Sequence, residues 1–216
     1  MPDVTLADII CRALILITVF PAHELAHAWA ATRMGDPTPH AAGRLTLNPF
    51  KHLNMFGSLL FLAAGIGWAS TPINPAYFGE NWRRKMGLVA VVGPLVNMVL
   101  AVVGSIPFYL FHWTLPIIQT SPNIPTPQYF FANFIILNLL LAFFNLIPIA
   151  PLDGAQVLGA FLSGRVQAAY DSIQRYGSYI LLIVVFILPM AGIHLIDLLY
   201  QYIIGPIFFF LVPGVI

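Results

Sequence analysis

Charge is what this sequence has least of. Lys and Arg number 9 and Asp and Glu 8 in 216 residues, 8% in all, against roughly 25% in soluble globular domains. That scarcity excludes a solvated surface around most of the chain, and with 59% hydrophobic residues it indicates an integral membrane protein. No run of like charge exceeds Arg83, Arg84 and Lys85, and the formal net charge is +1, so nucleic acid is not expected as a partner. Cysteine is nearly absent too. Cys11, alone in the chain, excludes an intrachain disulfide. The first apolar run also lacks the basic leader and small-residue cleavage site of a signal peptide, since Asp3 precedes it and His-Glu interrupts it. We read it as a retained membrane helix.

What is present is long apolar runs. Four of them, at about 6–30, 86–112, 129–151 and 176–200, approach or exceed the ~20 residues that a helix needs to cross ~30 Å of hydrocarbon. A fifth, 53–69, is shorter, contains three glycines and has Lys51 before it and Arg83, Arg84 and Lys85 after it. Basic flanks favour the cytoplasm, so this run is expected to re-enter rather than cross, a short tilted crossing being the alternative. The expected fold is an all-α membrane protein of four to six transmembrane helices with a re-entrant segment. Weak alternation in AAGRLTL (41–47) adds an expected small membrane-associated β element after the first helix. Residues 1–160 form the expected catalytic core. Residues 161–216 supply a further helix and an apolar tail of the same domain, the tail 201–216 without an assigned place. Arg33, Arg44 and Lys51 follow the first helix and Arg165 and Arg175 the third, whereas 113–128 carry no charge. The first helix then runs from outside to inside.

Against this background the stretch FPAHELAHAW (20–29) stands out. In a helix His23 and His27 lie one turn apart on one face, about 6 Å along the axis and about 40° around it, so both imidazoles can bind one metal ion. Glu24, about 100° round from His23, can reach a metal-bound water without being a ligand, the arrangement of a zinc hydrolase's general base. Zinc in a hydrolase needs a third protein ligand. Of the acidic residues outside the first helix, only Asp153 and Asp197 have apolar surroundings. Asp153, closing FFNLIPIAPLDG, is placed in the same leaflet as His27, and a metal partner offsets the ~2.5–3.5 kcal/mol cost of an aspartate at depth. A helix cap or turn residue before Gly154 is the other reading. His194 and Asp197, one turn apart, are expected to form a local pair. Asn145 has two readings, oxyanion donor or helix-packing hydrogen bond. Asn97 is read as a packing residue. Pro148 and Pro151 are expected to break the third helix just before Asp153.

HELAH at 23–27, GPLVN at 93–97 and NLIPIAPLDG at 145–154 together resemble the site-2 protease family of intramembrane zinc metalloproteases in its compact bacterial form. The likeness covers about residues 6–160. GRLTLNPFKHLNMFGS and TPINPAYF resemble the same subgroup, with Asn54 where an aspartate is usual. The resemblance implies one zinc held by His23, His27 and Asp153, with Glu24 as general base and acid. It also implies that Asn145 positions the substrate peptide or the oxyanion, and that strands after the first helix present an edge to an unwound substrate. The expected substrates are transmembrane proteins and the expected setting is the bacterial inner membrane, with the site toward the cytoplasmic leaflet. Two other readings compete: a membrane metal-ion transporter, disfavoured because the ligand candidates cluster in one leaflet, and a catalytically idle binder of membrane proteins, disfavoured by an intact Glu24.

Overall fold

A computed structural model describes residues 4–64 and 70–214. The elements are α1 (Leu6–Arg33), α2 (Thr38–Ala41), α3 (Pro49–His52), α4 (Met55–Ala64), a 3-10 stretch (Pro75–Asn81) and α5 (Trp82–Leu110). They continue with α6 (Pro127–Asn145), α7 (Asp153–Gly159), α8 (Gly164–Gln174), α9 (Gly177–Met190) and α10 (Leu195–Leu211). Three helices are long and apolar enough to cross a membrane, those containing α1, α5 and α6. A fourth span is formed if α8 and α9, bent by 58° at their junction, count as one.

α1 starts where the sequence offers reciprocal caps. Thr5 Oγ1 accepts from the Asp8 amide at 3.2 Å, and Asp8 Oδ2 accepts from the Thr5 amide at 2.9 Å. Its 28 residues reach about 42 Å. α6 begins on the Thr126 hydroxyl with Pro127 in the first turn, where a missing N–H costs nothing. It ends at Asn145, earlier than the apolar run, because Pro148 and Pro151 cannot continue the ladder. The predicted single helix at 176–200 is split. Gly192, at φ +83°, lies in the turn that separates α9 from α10.

α5 is the centre of the packing, touching α1, α6 and α7. Toward the Leu6 end of α1 the contacts are apolar: Ala101 and Phe108 of α5, Ala132, Ile135 and Leu139 of α6, and Ile204 and Phe208 of α10 form one buried cluster. The tail that the sequence left without a place therefore closes the α5–α6 face. The uncharged segment between α5 and α6 lies at this same end, where Pro122 accepts from the Ala7 amide at 2.9 Å and Tyr129 bonds to Asp8.

The expected β element is absent; among the described residues there is no strand. Residues 41–47 instead leave α2 through a turn at Gly43, φ +65°, with the amides of Gly43 and Arg44 bonded back to His40 and Pro39. Thr46 and Asn48 then use their side chains on the amides of Asn48 and Phe50, local bonds that compete with a ladder. The 53–69 run holds α4, whose ten residues reach only about 15 Å, half the hydrocarbon. Asn54, where this chain departs from the usual aspartate, accepts from the Gly57 amide at 3.1 Å, a capping bond that either residue type makes. α4 packs on α1, with Phe61 edge-on to Phe20 and the Leu62 carbonyl bonded to Arg12. Residues 65–69 of the run lie outside the described residues. By Thr71 the chain is back beside Glu24, and at Asn74 it meets Asp36 beyond the end of α1.

Candidate metal centre

The second half of α1 buries polar groups where its first half buries apolar ones. His23, Glu24 and His27 are 9%, 6% and 6% exposed. Pro21 precedes them inside the helix. The two imidazoles meet nearly edge to face, with their Nε2 atoms 2.9 Å apart. Asp153, at the first turn of α7, brings Oδ2 to 3.3 Å from His23 Nε2 and 3.4 Å from His27 Nε2. Leu152 holds the N-cap position of α7 and Asp153 is the first residue inside the helix, so it is not the cap.

Backbone geometry delivers that carboxylate. Gly154 passes so close to the carbonyls of Leu146 and Ile147 that a Cβ there would overlap both. The loop leading to it is braced from α8: Gln174 donates to the Pro148 carbonyl at 2.9 Å and accepts from the Ala150 amide at 2.6 Å, and the Tyr170 hydroxyl donates to Ala155 O at 3.1 Å.

α5 supplies what sequence reasoning missed. His27 Nδ1 donates to the Val89 carbonyl at 2.8 Å, and His23 Nδ1 donates to Asn97 Oδ1 at 3.2 Å. Asn97 is fully buried, and its contact is to an imidazole rather than to a neighbouring helix backbone, which corrects the packing role expected for it. With both Nδ1 atoms protonated, each neutral ring points a bare lone pair from Nε2 into the site. Two lone pairs and a carboxylate oxygen within 3.4 Å of one another repel unless a cation lies among them. Asp153 Oδ2 is buried and satisfies hydrogen-bond geometry with neither ring. Gly93 leaves room for the rings, since a Cβ there would overlap His27 and come within 2.6 Å of His23 Cε1. The signal for both was the G-x-x-x-N spacing in GPLVN, which puts residues 93 and 97 on one helix face.

These donors fit a divalent metal: two imidazoles and one carboxylate, a fourth position open to a cavity, and hydrogen bonds fixing both ring tautomers. Among the described residues they are the one group of three His, Cys, Asp or Glu close enough to share an ion, with ligand atoms within 4.8 Å of one another. A cavity of about 350 Å³ adjoins them, lined also by Glu24, Thr71, Phe144 and Asn145. Asn145 reaches the cavity wall, but its Nδ2 donates to Leu141 O at 3.0 Å, within its own helix. His194 and Asp197 are exposed, 3.8 Å apart, and play no part in the site.

Fold and site together define a helical integral membrane protein with two histidines and an aspartate placed where they could share a metal ion. A model of peptidase family M50 matches residues 115–188, which include α6 and the turn to Asp153. The chain is 39% identical over 178 residues to "Putative zinc metalloprotease YwhC" of Bacillus subtilis (strain 168), covering 82% of this chain and 80% of that protein. It is 29% identical over 184 residues to "Putative zinc metalloprotease Rip2" of Mycolicibacterium smegmatis, covering 83% of this chain and 68% of that protein. It is also 30% identical over 153 residues to "Putative zinc metalloprotease Rip3" of Mycobacterium tuberculosis (strain H37Rv), covering 71% of this chain and 31% of that protein. No solved structure matches at a significant level. The chain belongs to peptidase family M50, the site-2 protease family.

Proposed function

We propose that this protein is a zinc-dependent intramembrane protease that hydrolyses peptide bonds in or near the transmembrane segments of membrane proteins. The observation that carries the reading is the convergence of two imidazoles and the Asp153 carboxyl group beside a buried glutamate, in a cavity within the helices. His23, His27 and Asp153 would hold the ion through Nε2, Nε2 and Oδ2. Zinc, when bound, supplies Lewis acidity toward the scissile carbonyl and brings the pKa of a bound water down to about 7. Glu24 does not ligate. Its carboxylate takes the proton from the attacking water and returns it to the leaving amine, so that no net charge is left in the low-dielectric site. Asn145 lines the same cavity and offers its amide to the substrate backbone.

Charge distribution supports a cytoplasmic site. Lys85 reaches the Met34 carbonyl at 3.5 Å, and Arg83 pairs with Asp171 at 2.8 Å, so basic residues gather at the Arg33 end of α1 while the uncharged 113–128 segment lies at the other. His23 is ten residues, about 15 Å, below Arg33. We assign the protein to the bacterial inner membrane with its site in the cytoplasmic leaflet. A transport path needs ligands spaced through the bilayer, and the described residues offer one cluster.

The test uses the full chain in proteoliposomes with a transmembrane peptide substrate, measuring cleavage and zinc content together. Glu24→Gln is expected to lose cleavage while keeping one zinc per chain. Zinc loss in that variant removes Glu24 from its assigned role; a parent protein without zinc removes the reading altogether.

A further inference from the structure

Glu24 has a partner in Thr71, the first residue of TPINPAYF, to which the resemblance assigned no role. The Thr71 hydroxyl lies 2.7 Å from Glu24 Oε2 and 3.1 Å from the Glu24 carbonyl, across 47 residues of sequence. A hydroxyl has one proton, and both of these oxygens are acceptors; the shorter approach, to the carboxylate, is the charge-assisted bond. Among the described residues Glu24 Oε1 accepts no hydrogen bond from the protein, and Glu24 and Thr71 line the same cavity. The carboxylate is therefore divided, one oxygen held and the other left to the cavity.

The contact is built into the fold. Thr71 belongs to segment 70–74, outside regular secondary structure, which is tied down on both sides of it: Arg44 donates to the Ser70 carbonyl at 3.1 Å, and the Asn74 amide donates to Asp36 Oδ2 at 2.7 Å. Asp36 is fully buried and uses its other oxygen on the Thr38 amide, so the anchor is itself fixed. Pro72 stiffens the segment immediately after Thr71. A glutamate side chain has three rotatable bonds, and holding one of its oxygens removes most of the freedom that would carry the other away from a bound peptide.

We infer that Thr71 is a positioning residue for the general base, its hydroxyl fixing Glu24 Oε2 so that Oε1 faces the reacting water. This rests on the assignment of Glu24 above. The proton taken from water goes to Oε1 and leaves from Oε1 to the departing amine, while the Thr71 proton stays on its hydroxyl throughout.

The experiment compares Thr71→Val, which keeps shape and removes the hydroxyl, with Thr71→Ser, which keeps the hydroxyl and removes a methyl group. Both are measured beside Glu24→Gln, for kcat, KM and zinc content in proteoliposomes. Loss of a hydrogen bond to a charged group predicts that the valine variant loses about 10- to 100-fold in kcat. Its KM is expected to stay within about twofold and its zinc at one per chain, with serine restoring most of the rate. A valine variant as active as the parent overturns the inference and leaves Glu24 untouched, provided Glu24→Gln is inactive. A serine variant as impaired as valine also overturns it, by showing that packing and not the hydroxyl matters. Cleavage by Glu24→Gln overturns the underlying assignment and the inference with it. Should valine prevent folding, Thr71→Ala is read in the same way.

Discussion

The two halves of α1 are one helix doing two kinds of work. From Leu6 to Phe20 it buries Ile15, Leu16 and Val19 against Phe61 and the apolar side chains of α4 and α6. From Pro21 to Arg33 it buries two imidazoles and a carboxylate, each with a named partner. Lipid is as apolar as leucine, so the first kind of packing gains mainly van der Waals contact and tolerates exchange. The second kind does not. A polar group in that half is satisfied by one atom in one place, and the nearest spare space is set by a missing Cβ. Stability and chemistry are thus separable along the molecule.

The largest effect is expected at Gly93. Its missing Cβ leaves the space that both imidazoles occupy. In Gly93→Ala the methyl group meets the ends of two side chains rather than backbone, so the rings can swing aside and the fold can survive. The swing takes both Nε2 atoms out of the site. Zinc affinity, measured by chelator competition, is expected to fall by more than the 10- to 100-fold typical of losing an outer partner of a ligand, while the helical content by circular dichroism stays unchanged. Undiminished affinity would show that the cavity geometry is not what gathers the ligands.

A second break is gentler. Asn97→Leu removes the acceptor that holds His23 Nδ1–H, and also removes an Nδ2 donor that is buried without a partner. The ring keeps its place but loses its fixed tautomer, so zinc affinity should fall by about 10–100-fold. Asn97→Asp, which keeps an acceptor at the same position, is expected to bind zinc at least as tightly as the parent. Equal weakening in both variants would reduce Asn97 to a space-filling residue.

This division also explains which parts were legible in the sequence. HELAH was legible because its geometry is local: four residues on a helix fix two imidazoles on one face whatever surrounds them. The meeting of Asp153 with the two histidines was legible from cost, since a carboxylate at that depth needs a partner. The partners of His23 and Glu24 were not, lying 74 and 47 residues away, because periodicity says which face of a helix is used and not what meets it. The β element was misjudged for a related reason. Alternation over seven residues carries little weight when a positive-φ glycine and local side-chain bonds at Thr46 and Asn48 satisfy the backbone first. The tail 201–216 had no legible place, because an all-apolar segment reads as membrane-embedded equally well against lipid or against α5 and α6.

The smallest effect on the site should come from the other half of the molecule. Phe208 is 4% exposed and packs on α10's contact with α5 and α6. In water, Phe→Ala in a core costs about 3–5 kcal/mol, part of it transfer and part the cavity left behind. Within a bilayer the transfer part nearly vanishes, because the unfolded helix already sits in hydrocarbon, and the packing part remains. Phe208→Ala is therefore expected to destabilise the protein by about half of that, ~2 kcal/mol, read as a lower midpoint in a detergent unfolding titration. Zinc affinity should stay within about twofold of the parent, since sites with no shared partners are nearly additive. A parallel fall in zinc affinity would mean that α5 transmits the defect from Phe108 to Asn97, and the two halves would then have to be treated as one cooperative unit.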